Sequence, residues 1–191
     1  MASQANPLLT PEEYLDIERR AEFRSEYYQG QMFAMSGATG SHTVITVNLV
    51  REMSTELRRG PCQLYTHDMR VQVSKTGLYT YPDIVVACAG RKFLDEREDT
   101  LLNPIVIVEV LSESTEAYDR GKKFEQYRTL ESLQEYVLVA QDRMLVESYR
   151  RQASGQWLLT TAAEADNILE LSSVNCRLKL ADVYENVTLP A

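Results

Sequence analysis

The chain predicts an α/β fold, a mixed central sheet with helices packed against it, and three observations carry that expectation. Its 191 residues, 44% hydrophobic and 25% charged, have the composition of a folded chain. A chain of that length buries about 70% of its unfolded surface in one core. Residues 104–111 (PIVIVEVL) are apolar at both parities, as in a strand covered on both faces. Around them, stretches of helical period alternate with short strand-like runs in the order αβ(β)α-βββ-α-βββ. One domain over residues 1–191 is expected, with residues 1–9 flexible.

Each element has its own reason. Thr10, Pro11 and Glu13 form a capping box with proline at the first helical position, so a short helix starts there and ends before Phe23. Residues 26–35 place aromatic and aliphatic residues around Gln29 and Gly30, a hairpin pattern. The small residues of 36–41 read as a loop. Over 42–59, Val44, Val47, Val50, Met53 and Leu57 recur at helical spacing, and Gly60–Pro61 stops the helix. Strands are expected over 64–73 and 79–87, a charged loop or short helix over 90–103, and the apolar strand at 104–111. A polar loop (112–118) leads to a helix at 119–130, with Phe124, Tyr127 and Leu130 facing inward. Strands at 135–140, 144–150, 156–161 and 168–171 complete the pattern.

Twenty-eight acidic residues against twenty basic ones give a net charge of -8 and a pI near 4.9. That excludes a grip on nucleic acid by a uniformly basic surface, while leaving room for a local patch or a cation site. The first twenty residues lack the basic and apolar regions of a secretory signal, and no apolar stretch approaches the length of a membrane span. Cys62, Cys88 and Cys176 are widely spaced and odd in number, so three reduced cysteines in a cytoplasmic protein are expected.

The residue most out of place is Glu109. By period two it faces the same way as Ile107 and Leu111, inside a strand with no solvated face. A carboxylate there must be paired, protonated or bound to a cation. Asp83 stands between Pro82 and another apolar run, at a strand entry. If the two strands are neighbours, their carboxylates converge, and a hard divalent ion such as magnesium or manganese resolves the repulsion. Lys123 lies four residues before Tyr127 on the same helical face and can extend towards Glu109, whereas Lys122 points to solvent. Taken singly, these residues have blander roles: Asp83 as a turn or cap, Glu109 paired with Arg70, Lys123 as a solvated helix lysine.

Taken in order, they resemble the core of the PD-(D/E)XK nuclease superfamily. The chain is similar in particular to the Uma-two family of restriction-endonuclease-like proteins, abundant in cyanobacteria. The likeness runs over about residues 8–150. It rests on TPEEYLDIE, EYYQGQMFAMSGATGSHTVITVNL, YPDIVV, IVIVEVLSESTEAYDRGKKFEQYR and LQEYVLV. It implies a restriction-endonuclease-like mixed sheet and a magnesium-dependent endonuclease acting on DNA, with Mn2+ as a substitute for Mg2+. Asp83, Glu109 and Glu26 would be metal ligands, Lys123 the catalytic lysine, and His42 a phosphate contact or a cap. The usual motif has lysine two residues after the acid; here that residue is Leu111, and the resemblance implies that the role has moved to Lys123. Double-stranded DNA as partner follows from the same likeness, and a homodimer from the small size of a catalytic domain that must cover a duplex. Arg24, Arg51, Arg58, Arg59, Lys75 and Arg120 are candidates for backbone contacts. A catalytically inactive nucleic-acid-binding or protein-interaction module of the same fold, or a phosphodiesterase of small substrates, are the competing expectations.

Overall fold

The computed structural model describes residues 8–35 and 37–190. Of the segment expected to be flexible, residues 1–7 lie outside that range. Leu9 is held, its N–H donating to Gly30 O at 2.9 Å and its carbonyl accepting from the Tyr27 hydroxyl at 2.8 Å. The Thr10 capping box is formed and opens α1 (Pro11–Glu18). Next come β1 (Ser25–Tyr28) and β2 (Gln31–Ala34), a hairpin whose turn residues Gln29 and Gly30 both have positive φ. Helix α2 (Gly40–Leu57) follows, with Thr39 as its N-cap.

The two long strand runs each break in the middle. One becomes β3 (Gln63–Thr66) and β4 (Arg70–Val73), the other β5 (Leu78–Thr80) and β6 (Ile84–Ala87). A turn closed by Met69 N–H on Thr66 O at 2.8 Å makes the first break. Pro82, which has no N–H to donate, stands in the second. At each break the chain crosses between sheets: β2-β1-β5-β4-β7 form one and β11-β10-β9-β8-β6-β3 the other. The remaining members are β7 (Thr100–Leu101), β8 (Val106–Leu111), β9 (Glu135–Ala140), β10 (Val146–Arg151) and β11 (Trp157–Ala162). A separate hairpin pairs β12 (Ile168–Leu171) with β13 (Cys176–Lys179), and α3 (Glu116–Tyr118), α4 (Phe124–Tyr127) and α5 (Leu180–Val183) are short. Strand β8 is parallel to β9 and antiparallel to β6, so the six-stranded sheet is mixed. The expected single sheet is therefore two, because local alternation does not reveal where a strand changes partners.

Strand β8 is buried on both faces, as its composition requires. Val106, Val108 and Val110 join a core with Ile45, Leu49 and Met53 of α2 and with the β12–β13 hairpin. Ile107 and Leu111 join a second core with Tyr127, Leu130 and residues of the five-stranded sheet. The buried stripe of α2 differs from the expected one: Ile45, Asn48, Leu49, Met53 and Leu57 are buried, and Val47 is 59% exposed. Asn48 turns inward because its amide donates to the carbonyls of Val183 and Glu185, at 3.0 and 2.8 Å. Counting only apolar residues therefore misplaced the face.

The cysteines also depart from expectation. Cys62 and Cys88, one step beyond the paired Gln63 and Ala87, are joined by a disulfide, and Cys176 is free and buried. Antiparallel register brings together residues that are 26 apart in the chain. A thiol titration of the denatured, unreduced protein should count one cysteine; a count of three would contradict the bond. Among the described residues, no helix is long and apolar enough to cross a membrane.

Candidate active site

Register builds the site. Ile84 pairs with Val108, so Asp83, the residue before β6, lies beside Glu109. The Asp83 N–H points at Glu109 Oε2 at 3.4 Å, and Asp83 Oδ2 accepts from the Val110 N–H at 2.7 Å. The aspartate thus replaces a ladder partner for β8 and is held against it. Tyr127, fully buried, donates its hydroxyl to Glu109 Oε1 at 2.9 Å.

Lys123 enters from a π-helical turn (Asp119–Lys123) between α3 and α4. The helical segment thus starts earlier than expected and widens where it meets the sheet; such turns are common at functional sites. Lys123 Nζ lies 3.0 Å from Glu109, 3.3 Å from Glu26 and 3.3 Å from Asp119, all buried or nearly so. Glu26 comes from β1, accepts from the Thr80 hydroxyl, and has the Tyr118 hydroxyl at 3.4 Å. His42, in the first turn of α2, places Nε2 3.3 Å from Asp83 Oδ2. All five residues singled out in the sequence therefore meet at one place. Arg70 does not reach Glu109; it donates to the Tyr81 hydroxyl at 2.8 Å and to Thr100 at 3.2 Å.

Asp119 escaped the sequence reading. Its signal was present, an acid four residues before Lys123 on one helix, but it looked like an ordinary helix-start residue. Tyr118 and Thr80 carried no signal, since their role depends on meeting Glu26 across the fold.

The electrostatics follow from the count of charges. One ammonium cannot balance Glu26, Glu109 and Asp119, with Asp83 alongside. Burial opposes the charge on Lys123, yet the surrounding carboxylates win and hold its proton well above the ordinary lysine value. Burial, only partly offset by Lys123 and reinforced by Asp119 and Asp83, pushes Glu109 up to about 8. Burial also raises Asp119, against the pull of Lys123. For His42, burial is outweighed by Asp83, and its proton is held more tightly than usual.

The site suits a hard cation. The groups that could hold one are carboxylates, Asp83 and Glu109, with Glu26 and Asp119 also around Lys123. No group of three His, Cys, Asp or Glu residues is arranged to hold a metal ion among the described residues. Surface cations contribute little. Arg24 pairs with Asp68, Arg51 with Glu52 and Glu185, Lys75 with Glu131, and Arg120 with Glu116 and Glu147. Arg58 and Arg59 follow the end of α2 opposite His42, and an 18-residue helix is about 27 Å long.

Comparison with known proteins agrees with this architecture. The family described as "Uma2: Putative restriction endonuclease" matches residues 11–181. Two uncharacterized proteins of Synechocystis sp. are similar over nearly their whole lengths. The protein slr1290 is 37% identical over 183 residues, covering 95% of this chain and 94% of its own. The protein sll1609 is 36% identical over 172 residues, covering 90% and 97%. A crystal structure from Anabaena variabilis, described as "a putative nuclease belonging to DUF820", superposes with a TM-score of 0.76 at 20% identity. It covers 93% of this chain and 98% of that one, and at such identity the likeness establishes the fold. The fold is restriction-endonuclease-like, and the chain belongs to the Uma2 family of that description.

Proposed function

We propose that the protein is a metal-dependent endonuclease that hydrolyses DNA phosphodiester bonds. The observation that carries this reading is Lys123 Nζ held 3.0 Å from Glu109, with Asp83 at the same strand crossing. The family description and that of the Anabaena protein support it.

In this reading Asp83 and Glu109 would hold a divalent ion, Mg2+ or Mn2+, with Glu26 as the further acid of the site. When bound, the ion polarises the phosphate and lowers the pKa of the attacking water. His42 and the Val110 N–H hold Asp83 Oδ2, which leaves Oδ1 as the oxygen for a ligand. Tyr127 aims Glu109 by its Oε1, leaving Oε2 towards Asp83. The proton on Glu109 must leave before that carboxylate acts as an anionic ligand. Lys123 offers positive charge to a phosphate oxygen as negative charge grows on it. His42 is assigned to holding Asp83 in preference to contacting phosphate. A cytoplasmic location, a cyanobacterial source and a homodimer belong to the same reading. The ion-paired surface arginines favour, as a second reading, a phosphodiesterase of smaller substrates with the same site.

Cleavage of plasmid and oligonucleotide DNA with Mg2+ or Mn2+ tests the proposal. The parent should cut and stop on chelation, and Asp83→Asn and Glu109→Gln should each lose about 100-fold or more in rate. Undiminished cutting by both folded variants would remove the assigned site.

A further inference from the structure

Beside Glu26 lies an apolar pair that the chemistry above does not use. In the β1–β2 hairpin, Glu26 stands directly opposite Phe33, so the two side chains share one face of the sheet. The other face is the packed one: Tyr27 and Met32 sit against Tyr14 of α1 and Tyr79. Phe33 is 48% exposed, and Met35, two residues on and still hydrogen-bonded through its N–H to Arg24 O, is 40% exposed. The Glu26 carboxylate reaches 3.3 Å from Lys123, so the pair stands at the rim of the candidate site. Tyr118 borders the same carboxylate, its hydroxyl 3.4 Å from Glu26 Oε2.

We infer that Phe33, backed by Met35, is a stacking platform for a nucleobase, and that the substrate is a DNA strand whose base beside the scissile phosphate is unpaired. This rests on the nuclease reading and narrows its substrate. Charge gives the first reason. Lys123 is already shared among three carboxylates, and most candidate surface cations are ion-paired. A strand approaching such an acidic site needs contacts that do not depend on charge. A base stacking on an aromatic face supplies them, whatever the sequence. The second reason is access. Within a duplex both faces of each base are covered by neighbours, so only a single strand, flap or frayed end offers a free face to Phe33. The third is position: a residue opposite Glu26 meets the nucleotide next to the phosphate at the carboxylates and not a remote one. The competing occupant is a second copy of the chain, since β2 is the edge of its sheet.

The test compares the parent with Phe33→Ala and Phe33→Trp. Binding of a labelled single-stranded 12-mer and of the matching blunt duplex is followed by anisotropy with Ca2+ as the hard divalent ion, and oligomeric state by sedimentation. The parent should prefer the single strand. Phe33→Ala should weaken single-strand binding on the order of tenfold, with little change for duplex, and Phe33→Trp should restore it. Binding by the parent with no loss in Phe33→Ala, or an equal loss on both DNAs, overturns the stacking role and leaves the nuclease reading intact. A parent that binds neither DNA overturns both. A dimer that Phe33→Ala splits, without change in single-strand affinity, assigns the patch to a second copy and overturns the inference.

Discussion

Lys123→Met should destabilise the protein by about 3–5 kcal/mol, the cost of removing one partner from a buried ion cluster. Methionine fills most of the lysine stem's volume, so packing is largely kept and the loss is electrostatic. Without the ammonium, Glu26, Glu109 and Asp119 face one another with no cation between them. Some of the loss will be avoided by proton uptake, because burial already pushes Glu109 and Asp119 upward. For a chain of this length the shift in Tm is on the order of 10 °C. Adding Glu109→Gln to Lys123→Met should recover part of it only where Glu109 is ionised, above about pH 8, and little below. Urea unfolding of the parent, both single variants and the double variant gives the cycle. A loss below about 1 kcal/mol in Lys123→Met would mean that the lysine does not balance this cluster.

Glu109→Gln alone should flatten the pH dependence of stability. In the folded chain Glu109 holds its proton up to about 8, against an ordinary value of 4.5. Between those values the folded state carries a proton that the unfolded state has released. The associated stability is therefore fully present below 4.5 and is lost as pH rises through about 8. Glutamine resembles the protonated acid and does not titrate. Near pH 4.5 parent and variant should unfold at similar urea concentrations, and by pH 9 the variant should be the more stable. His42 and Asp119 slope the same way in both proteins, so the difference isolates Glu109. Parallel curves would show that Glu109 is ionised throughout.

Much of this site was readable before folding because burial and charge conflict visibly in one dimension. A glutamate inside PIVIVEVL needs a partner whatever surrounds it, and period two assigns its face correctly beside Ile107 and Leu111. The spacing from Lys123 to Tyr127 likewise predicts a shared face, and both side chains touch Glu109. Glu26 came from family likeness alone; its own hairpin pattern says nothing about Lys123. Asp119 stayed hidden because an acid at a helix start has an ordinary local role, and only its burial beside Lys123 gives it another. The break at Pro82 was marked, but not its consequence, that the chain leaves one sheet for the other and delivers Asp83 to β8.

The amino-acid order by itself determined most of the element types, the two-sided burial of β8 and the need for a partner, a proton or a cation at Glu109. Each of these follows from side-chain transfer energies and local periodicity, which act over a few residues. Only the tertiary structure decided which cations and acids meet: Lys123 with Glu26, Glu109 and Asp119, His42 with Asp83, and Cys62 with Cys88. Those pairings depend on strand register and sheet crossing, and neither is encoded in the spacing of residues along a single element. Phe33 shows the difference at one position. In the sequence it is one aromatic residue of a hairpin, and cross-strand register alone sets it beside Glu26.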